Sequence, residues 1–329
     1  MQKNVRLIQF LLLAFLSGLR GADPPVEIPL PSPFNQPELE YSALAWYRDY
    51  LILLPQYPTG YIVALSRPDI ASCLENPAHP PVQPIRVPFL GDEFKQLISG
   101  FEGFEAILIE DTLVTLMVEI NHGHEMSALA IQGQFPSLEK GISLDPSRTV
   151  EIMTPRKKRN MAYESLISVD GQYIPLYEAN GARVNEDPWQ PVLGPDLQVV
   201  DKIPFPTIEY RITDATDMDE TGKFWVINYL WPGDYRLLKP APDPFLPGGK
   251  AVKPGTAVER LLEMEYRDNH IFVTPTPPLN IPPSDSQSHN WEGIARYGDQ
   301  GFIIITDKHP RTILLFVPWP DTTSREDFR

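Results

Sequence analysis

The chain has 329 residues, 43 of them Asp or Glu against 28 Lys or Arg, for a formal net charge of −15 at pH 7. That balance excludes a nucleic-acid backbone as partner, which needs a basic surface, and suits a protein that binds cations. Thirty-seven prolines disfavour long helices, while six Trp, thirteen Tyr and fifteen Phe can fill the core of one large all-β domain.

Residues 1–22 have the layout of a secretory signal peptide, with Lys3 and Arg6 ahead of the apolar run LIQFLLLAFL. The run is too short for a membrane span, so a secreted or periplasmic protein with no stable span after cleavage is expected. An uncleaved amino-terminal anchor is the alternative, because cleavage after Gly18, Gly21 or Ala22 leaves a large or charged residue three positions from the cut. Residues 23–329 then form a single domain, expected to be a monomer. Cys73 is the only cysteine, which rules out an intrachain disulfide.

Pro24–Pro37 can hold at most an edge strand, around Val26–Leu30. Beyond it one frame recurs five times, at Ser42 (SALAWYRDYLILLPQ), Glu105 (EAILIEDTLVTLMVE), Glu164 (ESLISVDGQYIPLYE), Asp214 (DATDMDETGKFWVIN) and Glu292 (EGIARYGDQGFIIITD). The first column of the frame is always an oxygen-bearing side chain. The second is always small: Ala43, Ala106, Ser165, Ala215 and Gly293. Fourteen residues on, a third column reads Gln56, Glu119, Glu178 and Asn228, with Thr306 or Asp307 in the last copy.

Each copy resolves into short strands. In the second they are Glu105–Ile109, Leu113–Ile120, Met126–Gln132 and Thr149–Met153. In the third they are Ser165–Val169, Tyr173–Glu178, a weak strand near Val192–Gln198, and Val199–Ile203. Four strands per repeat of roughly fifty to eighty residues predict an all-β, five-bladed β-propeller. Six blades are the alternative, because the gap between Asp214 and Glu292 is wide. Ala257–Tyr266 and His270–Thr274 are, however, needed as outer strands of the fourth blade, and Pro232–Pro254 and Pro275–Pro283 read as loop. The last copy ends a strand short near Ile313–Val317, and the edge strand at Val26–Leu30 can close the ring there.

In a propeller the first strand of each blade lines the central channel, so Ser42, Glu105, Glu164, Asp214 and Glu292 should form a ring at one mouth. Hairpin geometry should set the third column beside the first. Carboxylates about 5 Å apart repel by roughly 3 kcal/mol per pair at an effective dielectric near 20, and no member of the columns is basic. Either some of the acids are protonated or a cation sits among them. Hard oxygen ligands without His or Cys favour Ca²⁺ over zinc, and a wide site favours it over Mg²⁺. Two other readings stay open: the acids hydrogen-bond the channel wall, or the ion is purely structural.

Asn290–Pro310 (NWEGIARYGDQGFIIITDKHP) and Phe101–Ile107 (FEGFEAI) resemble secreted propeller proteins described as phytase-like and esterase-like. The ring is also similar to the central calcium site of five-bladed calcium-dependent apyrases, in which Ser and Glu residues surround one Ca²⁺. Asp214 departs from that family, which more usually has Ser there. These resemblances imply a calcium-centred propeller acting as a hydrolase on a small anionic substrate, such as a phosphate ester or anhydride. The rival is a non-catalytic propeller whose mouth binds a ligand or a protein.

Phosphoryl chemistry needs cations to hold the phosphate oxygens and a base to activate water. Candidates at the same rim are Arg211 as an anion clamp, Glu119, Glu178 and Asp307 as bases or supporting ligands, and His289, Lys308 and His309. Arg211 could instead pair with Glu209 or a ring acid. The run Arg156–Arg159 could guide an anion to the mouth, and His122 and His124 form a weak metal signal. No nucleophile elbow or phosphate loop is present, so a serine-esterase mechanism has no support.

Overall fold

The computed structural model describes residues 24–76, 78–91, 94–281 and 288–320. The leader read at 1–22 lies outside them, and among the described residues no helix is long and apolar enough to cross a membrane.

After a two-residue strand β1 (Val26–Glu27), four antiparallel strands form the first blade: β2 (Tyr41–Tyr47), β3 (Tyr50–Pro55), β4 (Tyr61–Ser66) and β5 (Ile85–Leu90). The second consists of β6 (Phe101–Glu110), β7 (Leu113–Asn121), β8 (Met126–Gln134) and β9 (Ile142–Met153). A two-residue parallel contact between β5 and β9 merges these two into one eight-stranded sheet. Next come β10 (Tyr163–Val169), β11 (Gln172–Tyr177), β12 (Trp189–Leu193) and β13 (Val199–Pro204). The following sheet holds β14 (Arg211–Ala215), β15 (Lys223–Leu230), β16 (Val258–Arg267) and β17 (His270–Val273), with β18 (Leu279–Asn280) beside β16. In the last sheet, β19 (Trp291–Tyr297), β20 (Gly301–Thr306) and β21 (Leu314–Pro318) are completed by β1, whose Val26 faces Phe316. The expected amino-terminal closure is therefore present.

The first strands touch in a closed cycle, β2 to β6 to β10 to β14 to β19 and back to β2. Apolar clusters fill the spaces between neighbouring sheets. Ile52 and Leu54 pack with Leu116 and Val118, Leu176 and Val192 with Val226 and Met264, and Trp225 and Ile227 with Phe302 and Ile304. Sheets buried on both faces explain why the inner strands, such as YLILLP, are continuously apolar rather than alternating. Each large side chain so buried contributes about 1.5–3 kcal/mol. Hairpins at Asp170–Gly171 and Asp268–Asn269 place both central residues at positive φ, the turn whose twist matches the strands.

The weak third strand of the third copy differs from expectation. It runs over Trp189–Leu193, because Gly194–Gln198 closes into a turn with Gly194 N–H donating to the Gln198 carbonyl at 2.9 Å.

Candidate functional site

The first column marks a backbone irregularity as well as a residue type. Strand register slips by one at Ser42, between the pairs Tyr41–Pro55 and Ala43–Leu54. The same slip occurs at Glu105, Glu164 and Glu292. Each is the extra residue of a β-bulge, which re-aims its side chain from the sheet face toward the axis. The small second column follows from crowding there. A Cβ built on Gly293 would lie 2.7 Å from Ile305 Cγ2 and 2.9 Å from Leu44 Cγ.

Ser42, Glu105, Glu164 and Glu292 open together on a cavity of about 230 Å³, with Glu119, Arg211, Asp307, Lys308 and Gln56 in the same wall. Seven carboxylates line it against two cationic side chains, Arg211 and Lys308. Ser42 Oγ donates to the Phe104 carbonyl at 2.6 Å, tying the first blade to the second. Gln56 Nε2 donates to Glu105 Oε1 at 2.7 Å. Asn290 Nδ2 donates to Glu292 Oε1 at 2.7 Å and to Asp307 Oδ2 at 2.8 Å. Lys308 Nζ lies 2.6 Å from Glu40.

Asp214 occupies the equivalent bulge in the fourth blade but does not line this cavity. Its carboxylate accepts the N–H groups of Ile294 and Ala215, both at 2.8 Å, and of Leu44 at 3.4 Å. It is a channel-wall acceptor, the alternative left open for the whole column, and burial pushes its pKa well up.

Arg211, three residues earlier, takes the vacant place. It bonds to the fully buried Glu178, to Glu164 at 3.0 Å and to Asp234 at 3.4 Å; Glu209 instead accepts the N–H groups of Ala182 and Ala241. Burial works against the Arg211 charge, yet Glu178, Tyr229 and Glu164 hold its pKa above the ordinary value. Of the two pairings left open for Arg211, the one with a ring acid is present, so a base outside the columns relieves part of the ring.

The third column does not face the first. The bulge shifts it so that Glu119 pairs with Gly103 and Asn228 with Ile212. Two of its side chains reach forward to the next blade instead, Gln56 to Glu105 and Glu178 to Arg211, while Asn228 Nδ2 donates to the Glu209 and Arg211 carbonyls. Glu178 therefore sits behind Arg211 and outside the cavity wall. His289 is also outside it: buried, its Nδ1 3.0 Å from Glu259, and stacked on Trp291 with centroids 5.1 Å apart. Arg156 bonds Asn185 and Lys157 pairs with Glu125, so the basic run stays off the cavity. His122 Nε2 meets both Ser127 Oγ, at 3.0 Å, and Glu151, at 2.7 Å. One nitrogen serving both partners is not a nucleophile–base–orienter arrangement.

Two buried oxygens in the cavity wall, Glu119 Oε1 and Glu164 Oε2, have no hydrogen-bond partner. Burial and the neighbouring Glu164 push the Glu119 pKa up to about 8. Burial with Glu119 and Glu164 raises Glu105 well above the carboxylate range, and burial with Glu164 does the same for Glu292. Among the described residues no three Asp, Glu, His or Cys side chains converge in a ligating arrangement. The acids stand around the cavity wall rather than at its centre.

No protein-family model and no curated protein matches the sequence. Among solved structures, the chain is similar to a bifunctional GH43-CE protein of Bacteroides eggerthii, at 12% identity and a TM-score of 0.50. That match covers 90% of this chain and 35% of the larger protein. A putative glycoside hydrolase from Bacteroides ovatus matches at 12% identity and a TM-score of 0.47, covering 91% and 96% of the two chains. The WD40 repeats of RRP9 match at 7% identity and a TM-score of 0.37, covering 91% and 99%. At these identities the likeness concerns the fold alone, an all-β propeller.

Proposed function

We propose that the cycle of first strands is a five-bladed propeller whose acidic mouth binds Ca²⁺ and hydrolyses a small anionic ester, a phosphate by preference. The observation that carries this reading is the pair of buried, unpartnered carboxylate oxygens, Glu119 Oε1 and Glu164 Oε2, in a cavity where acids outnumber bases seven to two. Such oxygens are costly unless protonated or matched by a cation. Glu105, Glu164 and Glu292, with the Ser42 oxygen, would hold the ion; a cation of this size accepts several oxygen ligands in flexible geometry. Bound there, it would supply the positive charge that an anionic substrate needs in this mouth and polarise the scissile ester.

The protein's own groups divide the remaining work. Glu119, its pKa pushed up to about 8, keeps its proton at neutral pH and is suited to give it to the leaving oxygen of the ester. Lys308 can move from Glu40 to substrate oxygens. Arg211 is saturated by three carboxylates and acts as a positioning residue that fixes Glu164. The same saturation favours a second reading, a ligand-binding propeller with a structural ion, because the expected anion clamp is spoken for.

The test is the purified protein against a panel of phosphoesters and nucleotides, with and without Ca²⁺. Turnover that disappears with chelator and in Glu164→Gln, and falls about 10²-fold or more in Glu119→Gln, is expected. Chelation that lowers the melting temperature without any turnover in the panel would replace the hydrolase with the scaffold.

A further inference from the structure

The repeat that makes one mouth acidic makes the other apolar. Two residues beyond the bulge, four blades present Leu44, Ile107, Leu166 and Ile294 to a second cavity of about 370 Å³. Four residues beyond it, the rim carries Trp46, Met218 and Arg296. Between the two mouths Asp214 binds the N–H groups of Leu44 and Ile294, so the backbone donors of this wall are already satisfied.

Most of the charge at this rim is also in use. Arg296 donates through one terminal nitrogen to Asp219 at 3.3 Å. Arg67 lies over the Trp46 ring at 3.8 Å and 3.7 Å from Asp49. Two groups remain. Arg296 Nε is buried with no partner. The Asp217 carboxylate lines the same cavity, and among the described residues no hydrogen bond to it is found. A concave apolar wall with a few convergent polar groups is the usual form of a small-molecule site, and a buried charged donor left unpaired is costly.

We propose that this second mouth binds a small zwitterion with an apolar body, the chemistry of an apolar α-amino acid. Its carboxylate accepts from Arg296 Nε, its ammonium faces Asp217, and its side chain lies on Leu44, Ile107, Leu166 and Ile294. Met218, unbranched and adaptable, closes over bodies of different shape. The site is independent of the acidic mouth and of any ion bound there.

The test is isothermal titration of the full chain with L-leucine and L-methionine, and with glycine, N-acetylleucine and leucinamide, each of which lacks one of the three recognised features. Leucine and methionine should bind with one site per chain, and each of the other three at least about tenfold more weakly, as expected for losing a charge-assisted contact or an apolar body. Arg296→Gln and Asp217→Asn should each weaken leucine by a similar factor. Absence of binding by leucine and methionine at millimolar concentration overturns the proposal. So does N-acetylleucine or leucinamide binding as tightly as leucine. Should Arg296→Gln fail to fold, judged by circular dichroism, the analogue series on the unaltered protein decides alone.

Discussion

Arg211 is the residue on which the acidic mouth depends. Replacing it with Met keeps most of the side-chain volume and removes the guanidinium. Glu178, whose side chain is 0% exposed, and Glu164, at 8%, then face each other without a counter-charge. Breaking a buried ion pair from one side costs about 3–5 kcal/mol, because the remaining carboxylate, though Glu178 keeps the Ala162 N–H, has lost its counter-charge. For a domain of this size each kcal/mol moves the melting temperature by about 2–4 °C, so a fall of roughly 10 °C is expected. The double variant Arg211→Met with Glu178→Gln should regain a good part of that loss, since the orphaned charge is then absent and the two sites are in direct contact. Urea denaturation of the two single variants and the double variant gives the coupling. A loss below about 1 kcal/mol in Arg211→Met, or a double variant no more stable than it, would show that the guanidinium is not the counter-charge of the ring.

With divalent ions chelated, stability should fall as pH rises. Glu119 titrates near 8 in the folded chain against an ordinary value of 4.5, so the folded state keeps a proton that the unfolded chain has lost. That stabilisation is complete below about pH 4.5, declines by at most about 1.4 kcal/mol per pH unit, and is gone above about pH 8. Urea midpoints across that range check the sign, and midpoints that rise between pH 6 and 8 contradict it. Gly293→Ala should cost about 1–3 kcal/mol, because its Cβ would press on Ile305 and Leu44 at the most crowded part of the channel. A thermal melt within a degree of the parent protein would show that the second column is small for some other reason.

Much of this architecture was legible because a bulge recurring in register leaves a trace in residue type. Ser42, Glu105, Glu164 and Glu292 share the frame, each sits at the slip in its strand pair, and each opens on the same cavity. The small second column and the completion of the last sheet by β1 follow from the same spacing. Spacing does not encode where a side chain points once competing donors are in place. Asp214 shares the frame and the bulge, but the N–H groups of Leu44 and Ile294 draw its shorter side chain into the channel. Glu178 and His289 are held by partners remote in sequence, Arg211 and Glu259.

The exchange between Asp214 and Arg211 is the physical step that separates this ring from a purely anionic one. Four carboxylates around one axis with no counter-charge would have to take up protons or bind a cation. Here one blade withdraws its acid into the backbone and supplies a guanidinium instead, which bonds directly to Glu164, Glu178 and Asp234. Glu105 and Glu119 feel that guanidinium only at a distance; Gln56 donates a hydrogen bond to Glu105 but brings no charge. The net negative potential is therefore concentrated between the first, second and third blades, beside the unpartnered oxygens of Glu119 and Glu164. A cation entering the mouth should settle there, against Glu105 and the unpartnered oxygen of Glu164.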